Sequence, residues 1–416
     1  MPKIEFDVII AGGGLVGLSL ALALESGGLK IAVVDKLEPV SMLDKTYDGR
    51  SSAIAYANMR MLGILGVKEK IQEIGKISEI LVSDGRVPDG AKHGGSIGLT
   101  LHFDQGEITD SDEPLGYMVE NRHMRLALDM VCQTKKNIVR FTPHMVTDFI
   151  ENGAYVDAFL DNGQKISAKL LVGCDGRGSQ IRKSAKIKTY KFDYSQTGIV
   201  TTVALEKSHN DVAFEYFLPT GPFAILPLMH NRASIVWSEP PSKAIAMSKL
   251  DKNDFEIEIQ KRFGDFLGKV SVVAPVFTYP LQLELASKWY IKRVALCGDA
   301  AHGIHPVAGQ GFNLGLKDVA ALAEVILDSH SLGLDIGDEI TLEKYAAWRR
   351  TDTMMVAASC DAFVRLFSND FGPLRLLRNI GIGVVDAFGP ARRFFARHAG
   401  GAIGDLPKLL QGIPLS

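Results

Sequence analysis

The sequence carries a glycine-rich turn near its N-terminus, where three glycines follow the pattern G-x-G-x-x-G: Gly12, Gly14 and Gly17. The turn joins an apolar strand-like run, residues 7–11, to a stretch of small residues typical of a helix. This spacing permits a tight turn, close approach of a pyrophosphate to the helix N-terminus, and close packing of the helix on the strand. A second apolar run ends at Asp35, where a carboxylate would accept hydrogen bonds from an adenosine ribose. The unit predicts dinucleotide binding, with an ordinary glycine-rich turn as the alternative.

A second glycine-rich segment, residues 295–318, begins as another apolar strand-like run. The run ends at Gly298 and Asp299, and a helix opens further on at residues 309–311. An aspartate at a strand end can hold a polyol hydroxyl, and the free N–H groups of a helix N-terminus can stabilise a developing anion. A flavin ring with its ribityl chain needs both features. Taken alone, Asp299 is equally typical of a cap for the following helix.

The elements between these segments follow from hydrophobic periodicity and turn residues. Residues 155–160 and 165–172 read as two strands joined by the turn Asp-Asn-Gly, and alternation over residues 195–238 predicts an antiparallel sheet with one buried face. Helical periodicity marks residues 254–267, and residues 311–327 are predicted to form a long helix of small residues. We therefore predict an α/β fold in three parts: a Rossmann-like dinucleotide-binding domain from residues 1–75, 100–185 and 275–350, an inserted antiparallel β-sheet domain from residues 76–99 and 186–274, and a helical C-terminal region, residues 351–416.

The composition is that of an ordinary globular protein, since 46% of the 416 residues are hydrophobic and 23% are charged. Lys and Arg number 46 and Asp and Glu 48, so the net charge of −2 provides no basic field that would attract nucleic acid. The uncharged run 8–24 contains three adjacent glycines and lacks a basic leader, so it predicts neither a signal peptide nor a membrane helix. Four scattered cysteines favour reduced thiols in a cytoplasmic protein over zinc or disulfide bonds: Cys132, Cys174, Cys297 and Cys360.

Together, these motifs make the chain similar to the class A flavoprotein monooxygenases, the para-hydroxybenzoate hydroxylase-like group, and within it to the ubiquinone-biosynthesis hydroxylases. Three segments carry the resemblance: residues 12–17 with Asp35, residues 174–182 (CDGRGSQIR), and residues 298–313 (GDAAHGIHPVAGQGFN). The third is the most specific, because it is close to the signature of the ubiquinone-biosynthesis family. The order and spacing of the motifs match over nearly the whole chain.

The resemblance implies FAD as the cofactor and a role for individual residues. The positions implied to bind FAD are Gly12, Gly14, Leu15, Val16, Gly17, Asp35, Lys36, Arg50, Ser52, Ala53, Asn121, Asp175, Arg182, Gly298, Asp299, Gly311, Phe312 and Asn313. The flavin ring would be positioned, without a covalent link, by Pro306, Gly309 and Gln310. The sequence predicts no metal site, because His302 and His305 lack further ligands at a fixed helical spacing.

The implied reaction is hydroxylation of the aromatic ring of a polyprenylated phenol in ubiquinone biosynthesis. NADH or NADPH would reduce FAD, and O2 would then add to give a flavin hydroperoxide that attacks the ring. A hydrogen bond that activates the phenol would assist, but the sequence does not identify the residue that makes it. The alternatives are an FAD-dependent reductase or epoxidase of another isoprenoid or aromatic substrate, and a catalytically silent flavin-binding member of a biosynthetic complex.

The predicted sheet domain would supply an apolar wall for this substrate, and its candidate residues are Phe217, Phe223, Leu226 and Pro227. Core packing of the sheet explains these residues about equally well. Because the implied substrate is a membrane lipid, the C-terminal segment 361–416 is also relevant, and its seven bases and four acids give it a net charge of +3. The segment predicts peripheral contact with the inner membrane surface or with a biosynthetic complex. An ordinary packed helix hairpin is the alternative.

Overall fold

The computed structural model describes residues 5–38, 49–83, 100–107, 113–305, 309–367 and 404–415. The predictions for Pro306 and for most of the segment 361–416 therefore lie outside the described residues. The α-helices are α1 (Leu15–Glu25), α2 (Tyr56–Ile64), α3 (Asn121–Gln133), α4 (Gln180–Ser184), α5 (Pro241–Ser248), α6 (Lys252–Phe263), α7 (Gln310–Ser331), α8 (Glu339–Phe367) and α9 (Lys408–Gln411).

The strands form two large sheets and one small one. In chain order they are β1 (Phe6–Ala11), β2 (Ile31–Val34), β3 (Ser51–Ala55), β4 (Gly75–Ile77), β5 (Glu79–Ser83), β6 (Thr100–Asp104), β7 (Gly116–Glu120), β8 (Ile138–Phe141), β9 (Val146–Glu151), β10 (Val156–Leu160), β11 (Lys165–Gly173), β12 (Thr189–Leu205), β13 (Val212–Leu218), β14 (Gly221–Leu228), β15 (Arg232–Glu239), β16 (Val270–Val272), β17 (Phe277–Ala286), β18 (Tyr290–Ile291), β19 (Val294–Leu296) and β20 (His302–Gly303). The small sheet has the order β3-β7-β4.

The first large sheet has a parallel centre, and its strand order is β18-β19-β11-β1-β2-β8. β1 pairs in parallel with β2 and β11, β2 with β8, and β11 with β19. A parallel strand is covered on both faces, which explains why residues 8–10 and 31–34 are unbroken apolar runs and are all buried. Residues of α1 and α7 belong to the same core. The predicted Rossmann-like unit is therefore confirmed as β1, α1 and β2.

The predicted Asp-Asn-Gly hairpin is also confirmed, because β10 and β11 pair as antiparallel strands with Phe159 opposite Lys165. Gly163 in the turn has a φ of 83°, a conformation that glycine adopts without strain. β11 continues beyond the hairpin and pairs with β1, so a single strand links the antiparallel edge of the first sheet to its parallel centre.

The second large sheet has the order β20-β17-β12-β15-β14-β13-β5-β6, with β16 beside β12. Its pairs are antiparallel except for β13 with β5. One face packs against α6, where Phe223 contacts Trp237 and Phe263 at ring-centroid distances of 6.0 and 5.9 Å. On the other face, Leu226 packs against the core of the first sheet. The antiparallel sheet predicted from alternation is therefore confirmed.

Three strands lie in a different sheet from the one that the predicted domain boundaries imply. β6, β17 and β20 belong to the second sheet, although the prediction assigned residues 100–185 and 275–350 to the dinucleotide-binding domain. The reason for β17 is that the 17-residue strand β12 gives it a long antiparallel partner. In the C-terminal region, α8 already begins at Glu339, before the predicted boundary at residue 351.

Candidate active site

The predicted motifs meet at one edge of the first sheet, where its parallel strands end. Gly12 follows β1, Asp35 follows β2, Cys174 follows β11 and Cys297 follows β19. Backbone hydrogen bonds continue across this edge from Cys174 N–H to Ala11 (2.7 Å) and from Cys297 N–H to Gly173 (3.0 Å). Open α/β sheets bind ligands in the crevice at the carboxyl ends of their strands. The topology therefore brings the three glycine-rich segments to a single ligand-binding edge.

The turn between β1 and α1 is closed tightly around two glycines. Gly12 has a φ of 107°, and a Cβ on it would lie 2.4 Å from the carbonyl oxygen of Cys174. A Cβ on Gly17 would lie 1.9 Å from the carbonyl oxygen of Gly12, so helix and strand touch there. A Cβ on Gly14, by contrast, would have no heavy atom within 4 Å, and no side chain caps the helix at this position. The N-terminus of α1 therefore faces open space with its N–H groups available to an anion.

Asp35 lies beside this turn and stabilises it by hydrogen bonds. Its carboxylate accepts hydrogen bonds from the backbone N–H of Gly13 (2.5 Å) and of Leu37 (2.8 Å). The side chain is half-buried, whereas the neighbouring Lys36 is exposed. Each carboxylate oxygen accepts a second hydrogen bond readily, so these contacts are compatible with the predicted ribose contact.

The segment after β11 holds a second acid in a fixed position. One carboxylate oxygen of Asp175 accepts hydrogen bonds from the backbone N–H groups of Gln180 (2.6 Å) and Ile181 (3.1 Å) at the start of α4. Its other oxygen, Oδ1, is buried and has no hydrogen-bond partner among the described residues. A buried acceptor without a donor is costly, so a ligand hydroxyl or N–H at this point would stabilise it.

Two arginines connect the segment after β11 to the segment after β19. The guanidinium of Arg182 is buried and donates to the backbone carbonyls of Arg177 (2.6 Å) and Ala300 (2.7 Å) and to the carboxylate of Glu284. Arg177 donates to the carbonyl of Ile304 (2.8 Å) and pairs with Asp299 at 3.3 Å. These contacts of the Arg182 guanidinium hold the two loops together, and the predicted contact of Arg182 with the cofactor stays a prediction.

Beneath Gly298 lies a buried charged network that the sequence did not indicate. Asp318 accepts hydrogen bonds from the backbone N–H of Gly298 (3.0 Å) and from Arg349 Nε (3.0 Å), and it pairs with His302. Burial alone would raise the pKa of Asp318, but the charges and hydrogen bonds of His302 and Arg349 hold it below its usual value. The network fixes the Gly298 turn and gives His302 a structural role.

His305 lies at the end of the same segment and packs its ring edge-on against Tyr194, with 4.9 Å between the ring centroids. Burial, together with the positive charge of Arg177, lowers the pKa of His305 to about 4. The ring is therefore neutral at physiological pH, as expected for a packed side chain.

The N-terminus of α7 adds the last part of the site. Gly309 directly precedes the helix and has a left-handed conformation, and no side chain caps the helix there. A Cβ on Gly311 would meet no heavy atom within 4 Å, so this helix N-terminus also faces open space. Phe312, in the same turn, packs against the core of the first sheet. The predicted ring-positioning residues Gly309 and Gln310 lie in this turn, and Pro306 lies outside the described residues.

Hydrogen bonds of the Asn313 side chain join β3 and α2 to the same helix, and we call this set of bonds the Asn313 clamp. Asn313 accepts a hydrogen bond from the Ala55 N–H and donates one to the Ala53 carbonyl, both at 2.9 Å. Asn58 of α2 also donates to the Asn313 side chain, at 2.7 Å. The motif therefore uses its Asn313 side chain to hold β3 beside α7. The sequence did not indicate this role, because the partners are more than 250 residues apart.

The remaining predicted cofactor residues lie around this clamp. Ser52 donates to the Asn121 side chain at 2.7 Å, and Asn121 N–H donates to the Arg50 carbonyl at 3.0 Å. The Arg50 guanidinium lies 5.3 Å from the centre of the Tyr279 ring on β17, which links this corner to the second sheet. On the other side, Val16 of α1 faces Gly298, where an added Cβ would lie 3.2 Å from it, and the neighbouring Leu15 packs against the core.

Comparison with known proteins agrees with this geometry. A family model described as FAD binding domain matches residues 5–351. The chain is 44% identical to ubiquinone hydroxylase UbiL of Rhodospirillum rubrum, over 98% of this chain and 93% of that protein. It is 32% identical to 3-demethoxyubiquinol 3-hydroxylase of Escherichia coli, over 94% of this chain and 98% of that protein. The chain belongs to the FAD-dependent class A monooxygenase family that includes the ubiquinone hydroxylases.

A solved structure with the same fold is p-nitrophenol 4-monooxygenase PnpA of Pseudomonas putida. It superimposes with a TM-score of 0.76 at 20% sequence identity, covering 95% of this chain and 97% of that one. At this level of identity, the similarity shows the fold of the monooxygenase family.

The residues at the sheet edge fit the FAD that this monooxygenase family binds. The N-termini of α1 and α7 both lack side-chain caps, and Gly14 and Gly311 leave open space beside them. Asp175 Oδ1 is a buried acceptor that needs a donor. One helix N-terminus suits a pyrophosphate and the other suits the negative charge that a reduced flavin carries. The direct contacts of individual residues with FAD stay predictions.

In this monooxygenase, the four predicted substrate-wall residues are divided between the two faces of the second sheet. Phe217 and Leu226 lie on the face turned towards the FAD-binding sheet. Phe223 and Pro227 point to the opposite face, where Phe223 is fully buried in the core formed with α6. Core packing, the alternative explanation for these residues, therefore accounts for Phe223, and a substrate contact of any of the four stays a prediction. Side chains alternate along a strand, and the apolar sequence alone did not show which face each one takes.

Three residues of types that can bind a metal ion lie close together outside this site. Ligand atoms of Glu73, Glu120 and His123 lie within 4.8 Å of one another, but Arg232 pairs with both glutamates. Burial would raise the pKa of Glu120, yet His123 and the neighbouring arginines lower it to about 2. The carboxylates already have cationic partners, so we assign no metal here. Among the helices of the described ranges, none has the length and hydropathy needed to cross a membrane.

Proposed function

We propose that this monooxygenase hydroxylates the aromatic ring of a polyprenylated phenol in ubiquinone biosynthesis, with NADH or NADPH as reductant and O2 as the oxygen source. The observation that carries the proposal is that an apolar face of the second sheet, with Leu226 on it, packs against the core of the FAD-binding sheet. The names of the relatives support the substrate class, because one is a ubiquinone hydroxylase and another a 3-demethoxyubiquinol 3-hydroxylase.

When bound, FAD supplies the redox chemistry: it accepts hydride from the nicotinamide and activates O2 for insertion of one oxygen atom into the ring. The protein binds the cofactor, orients the substrate and excludes water. The N-terminus of α1 would hold the pyrophosphate, and the N-terminus of α7 would stabilise negative charge on the flavin ring. Asp318 and Arg182 would keep the two supporting loops in place.

The proposed activity is tested by following NADH and NADPH oxidation by the purified protein, with and without prenylated phenols. We expect the phenol to stimulate oxidation and to gain one oxygen atom, as measured by mass spectrometry. Stimulated oxidation that yields a reduced or epoxidised product instead would favour the reductase or epoxidase alternative. Protein purified without flavin, and unable to bind added FAD, would contradict all of the enzymatic proposals.

We also propose that the segment 361–416 makes the predicted peripheral contact with anionic membranes. The proposal is supported by the net charge of this segment, which is +3, whereas the rest of the chain has a net charge of −5. A basic segment is attracted to anionic lipid headgroups. Flotation with anionic liposomes should recover the wild-type protein but not a full-length variant in which five basic residues of the segment are replaced by glutamine: Arg375, Arg378, Arg392, Arg393 and Arg397. Equal recovery of both proteins would show that the segment is not the membrane contact.

A further inference from the structure

One ionisable side chain lies among the apolar residues of the second sheet and has no role in the site described so far. Glu215 stands in the middle of β13, opposite Val82 of β5 and Ala224 of β14. It is two residues from Phe217, so it shares the face that is turned towards the FAD-binding sheet. The strand reads Phe-Glu-Tyr-Phe, and the charged residue interrupts an otherwise apolar sequence.

The cross-strand neighbours of Glu215 on this face offer it no polar contact. The register places one row of side chains across the sheet: Leu101, Val82, Glu215, Ala224, Val236, Val200 and Phe277. Glu215 is the one ionisable member of that row. Its carboxylate has no hydrogen-bond or ion-pair partner among the described residues, whereas other glutamates of the sheet do, such as Glu239 with Arg262 and Lys243.

The position of Glu215 combines a dry environment with access for a ligand. Burial raises the pKa of Glu215 to about 7, and no charged group contributes to the change. The residue is nevertheless only partly buried, so a ligand atom can reach it. The titratable groups on the adjoining strands are Lys76 on β4, Glu79 on β5, His102 and Asp104 on β6, and Tyr117 and Glu120 on β7. α8 carries Glu339, Glu343, Lys344, Tyr345, Arg349, Arg350, Asp352, Cys360, Asp361 and Arg365. Glu79 pairs with His102, and Glu120 with Arg122 and Arg232.

We propose that the Glu215 carboxylate accepts a hydrogen bond from the phenolic hydroxyl of the substrate and thereby activates the ring for hydroxylation. This inference rests on the proposed function and assigns the phenol-activating group that the sequence left unidentified. The proton moves from the phenol oxygen to a carboxylate oxygen, and the O–H bonding pair stays on the phenol oxygen, which raises the electron density of the ring. The proton returns to that oxygen as the ring loses, as H⁺, the hydrogen at the carbon that gained oxygen.

The same placement selects the substrate class. A carboxylate on an apolar face repels a substrate that carries its own carboxylate nearby, and it favours a neutral hydrogen-bond donor on a hydrophobic body. A prenylated phenol has these properties, whereas its methyl ether lacks the donor. Glu215 would therefore contribute to specificity as well as to rate.

The first test compares the binding of 2-allylphenol and its methyl ether to the FAD-loaded protein by equilibrium dialysis, which requires no turnover. At pH 8 we expect the wild-type protein to prefer the phenol by about tenfold, since a hydrogen bond to a charged group contributes about this much. Glu215→Leu should lose the preference. The control Glu79→Gln, on the adjacent strand and exposed, should keep it.

The second test measures the pH dependence of kcat/KM with a prenylated phenol. Wild type should gain activity as the pH rises through about 7, because the carboxylate form is the acceptor. Glu215→Gln should lose about 100-fold in kcat/KM together with this pH limb, whereas Glu79→Gln should lose neither. If Glu215→Gln keeps the wild-type rate and pH profile, or Glu215→Leu keeps the preference for the phenol, the assignment is overturned.

The same variants distinguish an effect on folding stability from an effect on substrate binding and hydroxylation. Glu215→Gln should raise the unfolding temperature at pH 8, because it removes a desolvated charge. This gain should shrink as the pH falls through about 7 and disappear only below about 4.5, the ordinary pKa of a glutamate. If wild type hydroxylates no phenol but the binding preference still depends on Glu215, the proposed function fails and the assignment of the hydrogen-bond acceptor stands. If Glu215→Gln hydroxylates phenols at the wild-type rate, the proposed function stands and the assignment of Glu215 as the hydrogen-bond acceptor fails.

Discussion

Replacing Gly14 by valine is expected to produce a protein that folds but no longer retains FAD. A side chain at this position meets no heavy atom within 4 Å, and the backbone φ of −73° suits any residue, so the apo fold should lose little stability. The same space is the approach of the pyrophosphate to the N–H groups of α1. We expect FAD affinity to fall by about 100-fold, or about 2.7 kcal/mol, measured by calorimetric titration of the apoprotein.

Two other glycines serve as controls for this prediction. Gly63→Val in α2 also places a side chain in ordinary space, with the nearest atom 3.8 Å away, but far from the turn, so FAD affinity should be unchanged. Gly17→Ala puts a Cβ 1.9 Å from the Gly12 carbonyl oxygen, and it should lower the unfolding temperature with or without FAD. A Gly14→Val protein with native FAD affinity would contradict the placement of the pyrophosphate at α1.

Asp318→Asn is expected to lower the free energy of unfolding by about 3 kcal/mol near neutral pH, because removing one partner of a buried ion pair leaves the other charge uncompensated. Asp318 is fully buried and pairs with His302 and Arg349, and it also accepts the Gly298 N–H. Urea denaturation of the wild-type and variant proteins at pH 7.5 measures the difference. Because Gly298 begins the cofactor loop, the variant should also bind FAD more weakly.

The pH dependence provides a second check on Asp318. The folded pKa of Asp318 lies below its ordinary value of 3.8, so its stabilising effect is complete above the unfolded pKa and is lost as the pH falls through the folded one. The deficit of Asp318→Asn should therefore shrink below about pH 4, near the unfolded value. Asp352→Asn is the matched control, since Asp352 also binds Arg349 but is partly exposed, and its cost at pH 7.5 should be smaller. Equal costs would contradict the central role of Asp318.

The glycine turn could be predicted in detail because its requirements are local. Gly12 and Gly17 lie within one turn, and each contact that excludes a Cβ comes from an element directly joined to the turn or paired beside it. The hairpin between β10 and β11 could be predicted for the same reason, since its turn residues and its two strands are contiguous.

The apolar strands of the second sheet show where local reasoning was insufficient. Phe217 and Leu226 lie on the face turned towards the FAD-binding sheet and Phe223 and Pro227 on the opposite face, although the sequence suggested all four for one substrate wall. A shift of one residue reverses the face, and the register that decides it is set by pairing with β12, β15 and β5. The apolar composition of β14 is compatible with either orientation. Glu215 was missed in the same way, because only the register places it among apolar neighbours on the FAD-facing side.

The strand–helix–strand unit, the antiparallel sheet, the turn positions and the family could all be predicted from the residues alone. Each of them depends on residues close together in the chain or on a motif read directly. Which distant side chains meet is known only from the folded chain. Arg182 reaches Glu284 across 102 positions, and Asn313 reaches Ala55 across 258. These contacts are energetically decisive because burial removes water from both partners, so each polar group needs the other. The glycine-rich segments were thus visible in the sequence, but the network that holds them at one sheet edge is a property of the folded chain.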